Sequence, residues 1–332
     1  GVSMRRLRES LWNNIFTHDL LRYATILHRG MEDFSTFILG ETGTGKTAAA
    51  AAIGRSGYIP FDRTNNDFVA SFTECFLAAN LSAIPSTLLE SELFGHAKGA
   101  FTGAVEAHRG LFSRCSPHGS IFLDEIGEVS LQVQIKLLHV LQDRKFSPVG
   151  SHDVQRFEGR VIVATNRSLE EMAASGSLRA DLFYRLSSDV IEVPSLQDRF
   201  RESPEELSQM VDSLLERMLG EADSSLSEQV LAIIARDIAP DYAWPGNVRE
   251  LEQCIRRILL RGDAAPSWPH RGSRASGSTY LWQATEEGQW PVQALIEAYC
   301  RLVYEHEGSY EQAGQRLGLD WRTVKRHVQA TG

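Results

Sequence analysis

Residues 40–47 constrain the fold of this chain more than any other segment. They fit the pattern G-x-x-x-x-G-K-[ST] in full, follow the short apolar run at 37–39 and open an Ala-rich stretch that favours a helix. A strand, a glycine-rich turn and a helix N-terminus in this order can surround phosphate oxygens with backbone N–H groups. The residues expected to hold the phosphates are Gly40, Glu41, Thr42, Gly43, Thr44, Gly45, Lys46 and Thr47. We expect Lys46 to contact the β- and γ-phosphates and Thr47 to bind Mg²⁺.

A second part of this nucleotide site is expected where the apolar run 120–123 meets Asp124 and Glu125. Two carboxylates at the end of a buried strand are costly unless they face a metal or a polar site. Asp124 is expected to hold Mg²⁺ through water, and Glu125 to polarise the attacking water. Asn166 follows the apolar run 161–164 and is a candidate for sensing the γ-phosphate, although an isolated Asn at a strand end more often forms a turn.

Short apolar runs alternate with helical patterns through the first two hundred residues, which predicts an α/β fold with a parallel sheet. Residues 1–35 have helical spacing. After Pro194 only helical patterns follow, at 205–219 and 226–261, and they predict a small helical subdomain. Residues 262–279 are rich in Gly, Ser and Pro and are typical of a linker, and a compact helical segment begins near Trp290.

The composition excludes several classes of protein. With 332 residues, 42% of them hydrophobic and 23% charged, the chain has globular values and room for about two domains. A net charge of −9 argues against a general nucleic-acid or membrane coat. No apolar run approaches the roughly eighteen residues that span a bilayer. Four widely spaced cysteines without a C-x-x-C pair favour a reducing, cytoplasmic location.

The C-terminal segment has the pattern of a helix-turn-helix. Ser309 and Gln312 are expected to form a capping box, Gly318 and Leu319 to make the turn, and Asp320 to cap the next helix. On that helix the positions expected to share one buried face are Trp321, Val324 and Val328, with Ala313 and Leu317 facing them from the preceding helix.

The exposed side of the last helix is basic. From Arg316 to Val328 there are four basic residues and one acidic residue, whereas the chain as a whole has a negative net charge. A short basic helix after a glycine turn suits the DNA major groove, whereas the alternative is a packing module with a solvated basic face. The candidate DNA contacts are Arg322, Thr323, Lys325 and Arg326.

The stretch 92–104 contains a more specific signal. The hexapeptide Gly99, Ala100, Phe101, Thr102, Gly103 and Ala104 is the GAFTGA signature of the sigma-54-dependent bacterial enhancer-binding proteins, the NtrC-like AAA+ activators. Together with residues 40–47, 120–125, 183–186 and 244–251, it makes residues 1–262 resemble that family, and the C-terminal segment resembles its Fis-type helix-turn-helix. The implied domains are an α/β AAA+ ATPase subdomain (1–198), a helical lid (199–262), a linker (263–289) and a DNA-binding domain (290–332).

The resemblance also implies roles for residues and partners. The cofactors would be ATP and Mg²⁺, and the partners would be sigma-54 RNA polymerase holoenzyme, contacted by residues 99–104, and enhancer DNA. Asn80 resembles the Asn that holds the Walker B glutamate, Arg179 and Arg185 resemble arginine fingers that reach the neighbouring subunit, and Arg249 resembles sensor II. Fingers that act in trans imply a homo-oligomeric ring, expected to be a hexamer, with a dimer as the inactive form. No membrane partner and no N-terminal regulatory domain are expected in this chain.

Several alternatives remain open from the sequence. Without the resemblance, Phe101 could lie in the core under a tight turn, and Arg179 or Arg185 could form a surface ion pair with Asp181 or Asp189. Position 47 is Thr where many family members have Glu, and residues 193–199 are a degraded form of a proline-leucine-arginine run. The chain could instead be a DNA-binding repressor that keeps its ATPase for assembly, although the intact hexapeptide argues against this. A remodeller of another substrate is the third possibility.

Overall fold

The computed structural model of the chain describes residues 1–220, 223–239, 242–264 and 292–329. They belong to two units, of which the first ends at Ala264. The strands are β1 Thr36–Leu39, β2 Phe61–Asp62, β3 Asp67–Phe68, β4 Phe76–Asn80, β5 Ser120–Asp124, β6 Lys145–Phe146, β7 Gln155–Arg156, β8 Arg160–Thr165 and β9 Asp189–Glu192.

The helices follow the same order along the chain. In the first unit they are α1 Val2–Phe16, α2 Leu20–Thr25, α3 Lys46–Arg55, α4 Ser86–Phe94, α5 Leu111–Arg114, α6 Leu131–Asp143, α7 Leu169–Ser175, α8 Ala180–Leu186, α9 Leu196–Glu202, α10 Glu205–Leu219, α11 Ser224–Asp237 and α12 Asn247–Arg261. In the second unit they are α13 Val292–Glu307, α14 Tyr310–Leu317 and α15 Trp321–Gln329. None of the helices in the described ranges is long and apolar enough to cross a bilayer.

A five-stranded sheet in the order β4-β5-β8-β1-β9 forms the centre of the first unit. All neighbouring pairs are parallel, which confirms the α/β prediction. In the register, Asn80 lies beside Asp124, and Leu39 lies beside Thr165 and Glu192. The carboxyl ends of the strands therefore meet at one edge of the sheet, where ligands bind in folds of this class.

Helices cover both faces of this sheet. On one face the apolar sides of α4, α5, α6 and α8 pack on β5 and β8, and the largest buried side chains there include Phe94, Phe112 and Leu137. On the other face, Leu7 of α1 and Ile53 of α3 pack against β1 and β8. The central strands are apolar on both faces because both are buried.

A second core holds α9 to α12 together. Val211 and Leu215 of α10, Val230 of α11, and Leu251 and Ile255 of α12 are almost completely buried there. The helical region predicted at 226–261 consists of two helices that end at Asp237 and begin at Asn247. These four helices form the lid predicted from the sequence.

The second unit has three helices around Val303, Ala313 and Val324. The predicted turn at Gly318 is present, with φ of 67°. Asp320 caps the next helix as predicted, because its carboxylate accepts a hydrogen bond from the Arg322 N–H at 2.9 Å. The predicted linker at 263–289 lies outside the described residues except for 263 and 264, and so does Trp290.

Two details of this unit were predicted wrongly. Ser309 is the N-cap of α14, but its hydroxyl accepts from the Glu311 N–H, so the capping box with Gln312 is not formed. Trp321, expected on the buried face, is 42% exposed, while Val324 is fully buried and Val328 packs on the core. Trp321 is the first residue of its helix, and its ring lies against the guanidinium group of Arg322 instead of the core.

Candidate nucleotide site

Lys46 is the first residue of α3, and its side chain folds back into the loop that connects β1 to this helix. Lys46 is almost completely buried, and its Nζ donates hydrogen bonds to the carbonyl oxygens of Gly40 at 2.8 Å and Glu41 at 3.0 Å. Burial lowers the pKa of Lys46, while the carboxylates of Asp124 and Glu125 act in the opposite direction. An ammonium group that is held only by neutral carbonyl oxygens can exchange them for phosphate oxygens, which bind it more strongly.

The two predicted carboxylates follow β5 at the same edge of the sheet. Asp124 is the last residue of that strand, and its Oδ1 accepts a hydrogen bond from the Glu125 N–H at 3.0 Å. Glu125 has a left-handed backbone with φ of 59°, a conformation that costs free energy for a residue with a side chain. Burial and the charge of Asp124 raise the pKa of Glu125, and Lys46 opposes this. The structure thus brings Lys46, Asp124 and Glu125 into one electrostatic group.

Asn166 connects this group to the phosphate-binding loop. It lies just beyond β8, and its Nδ2 donates to the hydroxyl of Thr42 at 3.1 Å. Its backbone N–H acts on the Glu125 carboxylate and lowers the pKa of that group. Asn166 therefore bonds to the phosphate-binding loop and acts on the charge of Glu125.

Asn80 is close to the carboxylates in the sheet but makes different contacts. It ends β4 directly beside Asp124. Its Oδ1 accepts from the N–H of Ser82 at 3.0 Å and from the hydroxyl of Ser82 at 2.7 Å, which caps a short 3₁₀ helix. Among the hydrogen bonds of the described residues, none joins Asn80 to Glu125.

The lid reaches the phosphate-binding loop through Asn247, which the sequence analysis did not single out. This residue is fully buried and has a left-handed backbone, with φ of 51°. Its Nδ2 donates to the Glu41 carboxylate at 2.9 Å and to the Thr42 carbonyl at 3.1 Å, and its Oδ1 accepts from the Leu196 N–H at 2.7 Å. A single side chain therefore joins the loop, α9 and α12.

Because α12 lies so close to the phosphate-binding loop, position 43 must be glycine and Arg249 lies beside the loop. A Cβ atom at Gly43 would lie 2.3 Å from the carbonyl oxygen of Gly246, so no larger residue fits there. The Val248 N–H donates to the Gly43 carbonyl at 3.1 Å. Arg249, the predicted sensor II, is exposed beside Gly43, and its charge contributes to the lowered pKa of Lys46.

The residues at this edge fit a magnesium–nucleotide complex. Lys46 supplies a cation for the phosphates, and the exposed hydroxyl of Thr47 and the carboxylate of Asp124 are oxygen ligands of the kind Mg²⁺ prefers. A recess of about 350 Å³ lies between Thr42 and Asn166 on one side and Ala243 and Pro245 of the lid on the other.

The two candidate arginine fingers lie on one short segment and make contacts within their own chain. The guanidinium group of Arg179 pairs with Asp181 at 2.7 Å, which is the alternative the sequence left open. Arg185 donates from Nη2 and Nε to the carbonyl oxygen of Leu141, at 2.7 and 3.1 Å, rather than to Asp189. Both arginines are half-buried.

The hexapeptide forms the tip of a hairpin-like loop. Backbone hydrogen bonds join His96 and His108 at its base, and the Gly99 N–H donates to the Ala104 carbonyl at 2.8 Å. The ring of Phe101 is 39% exposed and lies 4.9 Å from the imidazole of His96, and Thr102 is exposed. Phe101 is therefore on the surface, and the alternative of a core position is wrong.

Comparison with known proteins identifies the family. Residues 18–192 match the Sigma-54 interaction domain family, and residues 201–265 match the AAA+ ATPase lid domain family. The chain belongs to the sigma-54-dependent enhancer-binding activators. Their AAA+ architecture agrees with the parallel sheet and helical lid described above.

Individual relatives agree with this assignment. The chain is 42% identical over 264 residues to a Nif-specific regulatory protein of Bradyrhizobium diazoefficiens, a match that covers 77% of this chain and 41% of that protein. It is 32% identical over 343 residues to the DNA-binding transcriptional regulator NtrC of Rhizobium meliloti, covering 92% and 67%. The chain spans about two fifths of the length of the first of these relatives.

Solved structures of NtrX from Brucella abortus share the fold. One of them has a TM-score of 0.55 and 24% sequence identity, and the match covers 99% of this chain and 68% of that one. Another, 23% identical with the same TM-score, is a complex with ATP. At these identities the likeness shows the fold alone.

The predicted DNA-contacting face is on the surface of the second unit. Arg322, Lys325 and Arg326 of α15 are exposed, and Thr323 is half-buried. The guanidinium group of Arg322 lies 5.5 Å from the centre of the Trp321 ring. A basic face with one exposed aromatic side chain is therefore available at the start of this helix.

Two amide side chains of the first unit are completely buried and were not singled out from the sequence. One is Asn247, and the other is Gln134 in the middle of α6. Gln134 occupies a position between Val133, Leu137 and Leu138 on the apolar face of that helix. A polar residue at a buried helical position is the signal that could have identified it.

Proposed function

We propose that this chain hydrolyses ATP to ADP and phosphate and uses the reaction to move residues 99–104 against sigma-54, which opens promoter DNA. The observation that carries the proposal is that one chain holds both an assembled phosphate-loop and carboxylate site and an exposed Phe101–Thr102 tip. An exposed aromatic ring on a loop is unfavourable unless it meets a partner. Membership of the sigma-54-dependent family supports sigma-54 polymerase as that partner.

The residues at the sheet edge divide the work of hydrolysis. Bound Mg²⁺, held by Thr47 and through water by Asp124, would neutralise charge on the phosphate oxygens. Lys46 exchanges its carbonyl partners for β- and γ-phosphate oxygens. An oxygen of the Glu125 carboxylate accepts a hydrogen bond from the attacking water and orients it, and the raised pKa makes this carboxylate a better proton acceptor than an exposed glutamate.

Asn166, Asn80 and Arg249 report the state of the nucleotide. Asn166 donates to Thr42 and lowers the pKa of Glu125, so a γ-phosphate bound beside it would change both interactions. Asn80 would hold Glu125 after leaving Ser82. Arg249 lies beside Gly43 on the lid, so its guanidinium group would contact the phosphates of a bound nucleotide.

Arg179 and Arg185 would complete the site of a neighbouring subunit. A planar, permanently charged guanidinium group stabilises the charge that develops on the γ-phosphate in the transition state. To act in trans, Arg179 leaves Asp181, or Arg185 leaves the Leu141 carbonyl. This requires a ring, which we propose to be a homohexamer assembled from inactive dimers.

The three-helix unit would tether this ring to enhancer DNA. Arg322, Lys325 and Arg326 are exposed along α15, and their spacing of three and four residues places them on one side of the helix, as in a recognition helix that lies in the major groove. Asp320 caps the same helix and fixes its first turn. Thr323 is the fourth candidate contact.

Promoter opening tests the proposal. The chain, ATP and sigma-54 RNA polymerase are combined on a sigma-54 promoter, and strand separation and phosphate release are measured for the wild type, Glu125→Gln and the exposed control Glu170→Gln. The wild type and Glu170→Gln should open the promoter only with ATP, while Glu125→Gln should bind ATP without hydrolysis or opening. Opening by Glu125→Gln at the wild-type rate, or no opening by the wild type, would contradict the proposal.

A further inference from the structure

Gln134 in the middle of α6 makes three hydrogen bonds with its side-chain amide. The residue is fully buried. Its Oε1 accepts from the Arg179 N–H at 2.9 Å, and its Nε2 donates to the carbonyl oxygens of Val129 at 2.8 Å and Ser177 at 2.7 Å. Both amide protons and the amide oxygen are used, so this side chain has one well-defined position.

The partners of Gln134 belong to two functional parts of the chain. Val129 follows the 3₁₀ turn Ile126–Glu128, which begins immediately after Glu125. Ser177 and Arg179 begin the segment 177–186, here named the finger segment because it carries both candidate arginine fingers. The Gln134 amide therefore connects two stretches of backbone. One follows Asp124 and Glu125, and the other is the start of the finger segment.

Helix α6 also holds the other end of the finger segment. Arg185 donates to the carbonyl oxygen of Leu141, which is seven residues, or about two helical turns, beyond Gln134 on α6. Between these two points Leu182 and Leu186 are fully buried in the same core as Leu137. The finger segment is thus fixed to one helix by polar contacts at both ends and apolar contacts between them.

We propose that Gln134 is a positioning residue for the arginine fingers and that it acts on the active site of the neighbouring subunit through the finger segment. Replacing the amide with an apolar group would remove the partner of two carbonyl groups and one N–H, in a region that is buried or half-buried. The start of the finger segment would then move to find new partners. A displacement of about 1 Å can reduce a rate roughly 100-fold when a charged group must meet a transition state. The inference rests on the proposed function of Arg179 and Arg185 in trans.

Two variants of the same helix give a matched comparison. Gln134→Met removes the amide, while Gln132→Met makes the same change at an exposed position two residues away. Met and Gln have similar helix propensities, so the helix itself is affected equally. We expect Gln134→Met to bind ATP with unchanged affinity and to lose hydrolysis roughly 10- to 100-fold, and Gln132→Met to match the wild type. Gln134→Glu keeps an acceptor for the Arg179 N–H but loses the two N–H donors. It is the variant to be measured if Gln134→Met does not fold.

An experiment with mixed subunits distinguishes whether Gln134 acts on the active site of the neighbouring subunit or on that of its own subunit. A Glu125→Gln subunit has no hydrolysis of its own but offers intact fingers, and a Gln134→Met subunit has intact catalytic carboxylates but displaced fingers. Mixed oligomers should hydrolyse ATP faster than the sum of the two variants measured separately. The same recovery is expected for Arg179→Ala or Arg185→Ala mixed with Glu125→Gln.

The outcomes distinguish the two proposals. If either arginine variant recovers on mixing but Gln134→Met does not, Gln134 acts through its own carboxylates and the positioning role in trans is wrong. If no mixture recovers, fingers in trans are wrong and the inference is overturned with them. Loss of ATP affinity in Gln134→Met would also contradict it, because a finger is not needed for binding in its own subunit.

Discussion

The carboxyl edge of the sheet, where the candidate nucleotide site lies, and the hexapeptide loop at residues 99–104 are stabilised by different kinds of hydrogen bond. At the edge, polar side chains from the phosphate-binding loop, the end of β8 and the lid bond to one another across elements, as Asn247 and Asn166 illustrate. The loop is closed mainly by backbone hydrogen bonds between nearby residues, and Phe101 and Thr102 remain exposed. The difference indicates that the edge is built for chemistry and that the tip is available to a partner. Changes at the two places should therefore have separable effects.

The largest effect is expected from Arg185→Ala. Arginine fingers are worth about 10³–10⁵ in kcat, so hydrolysis should fall at least roughly 1000-fold, while nucleotide binding stays intact. Steady-state ATPase assays and a fluorescent nucleotide titration check this, with the exposed Arg201→Ala as control. Parallel loss of binding would show that Arg185 is structural, through its hydrogen bonds to Leu141.

Lys46→Ala should weaken nucleotide binding itself. Loss of charge-assisted hydrogen bonds to phosphate costs about 2–3 kcal/mol, or roughly 30- to 150-fold in Kd. The same titration measures it, and the exposed Lys145→Ala serves as control. An unchanged affinity would overturn the assignment of residues 40–47 as the phosphate-binding loop.

Asn247→Ala should lower the stability of the nucleotide-binding unit. It leaves the Leu196 N–H and the Thr42 carbonyl without their partner, and alanine tolerates the left-handed backbone less well than asparagine. We expect a loss of about 2–4 kcal/mol in the free energy of unfolding, measured by urea denaturation. The exposed Asn13→Ala should change it by less than about 0.5 kcal/mol. Equal stabilities of the two variants would mean that the lid is not fixed to the loop through Asn247.

Phe101→Ala should have the smallest effect on stability. Its ring is 39% exposed and its side chain packs on His96, so we expect a loss below about 1 kcal/mol in the same denaturation experiment. Phe112→Ala, in the core of the same unit, should cost about 3–5 kcal/mol. A cost for Phe101→Ala close to that of Phe112→Ala would show that the loop is part of the core.

Most residues at the carboxyl edge of the sheet can be predicted from the sequence, because each belongs to a short motif that is continuous in the chain. The residues of the phosphate loop are contiguous, and Asp124, Glu125 and Asn166 each follow an apolar strand whose carboxyl end must meet the others in a parallel sheet. Asn247 and Gln134 were missed because most of their hydrogen-bond partners lie far away in the sequence. Helical periodicity placed Trp321 on the buried face, but it does not show how far the covering helices extend.

Thr102→Ala tests the central claim most directly. ATP hydrolysis and promoter opening by sigma-54 polymerase are measured in parallel for the wild type, Thr102→Ala and the exposed control Thr64→Ala, which lies between β2 and β3. Since Thr102 is exposed at the tip and away from the carboxylate pair in the sequence, its loss should leave hydrolysis intact and abolish opening. Thr64→Ala should retain both activities. Unchanged promoter opening by Thr102→Ala would contradict the proposal that ATP hydrolysis acts on sigma-54 through this loop.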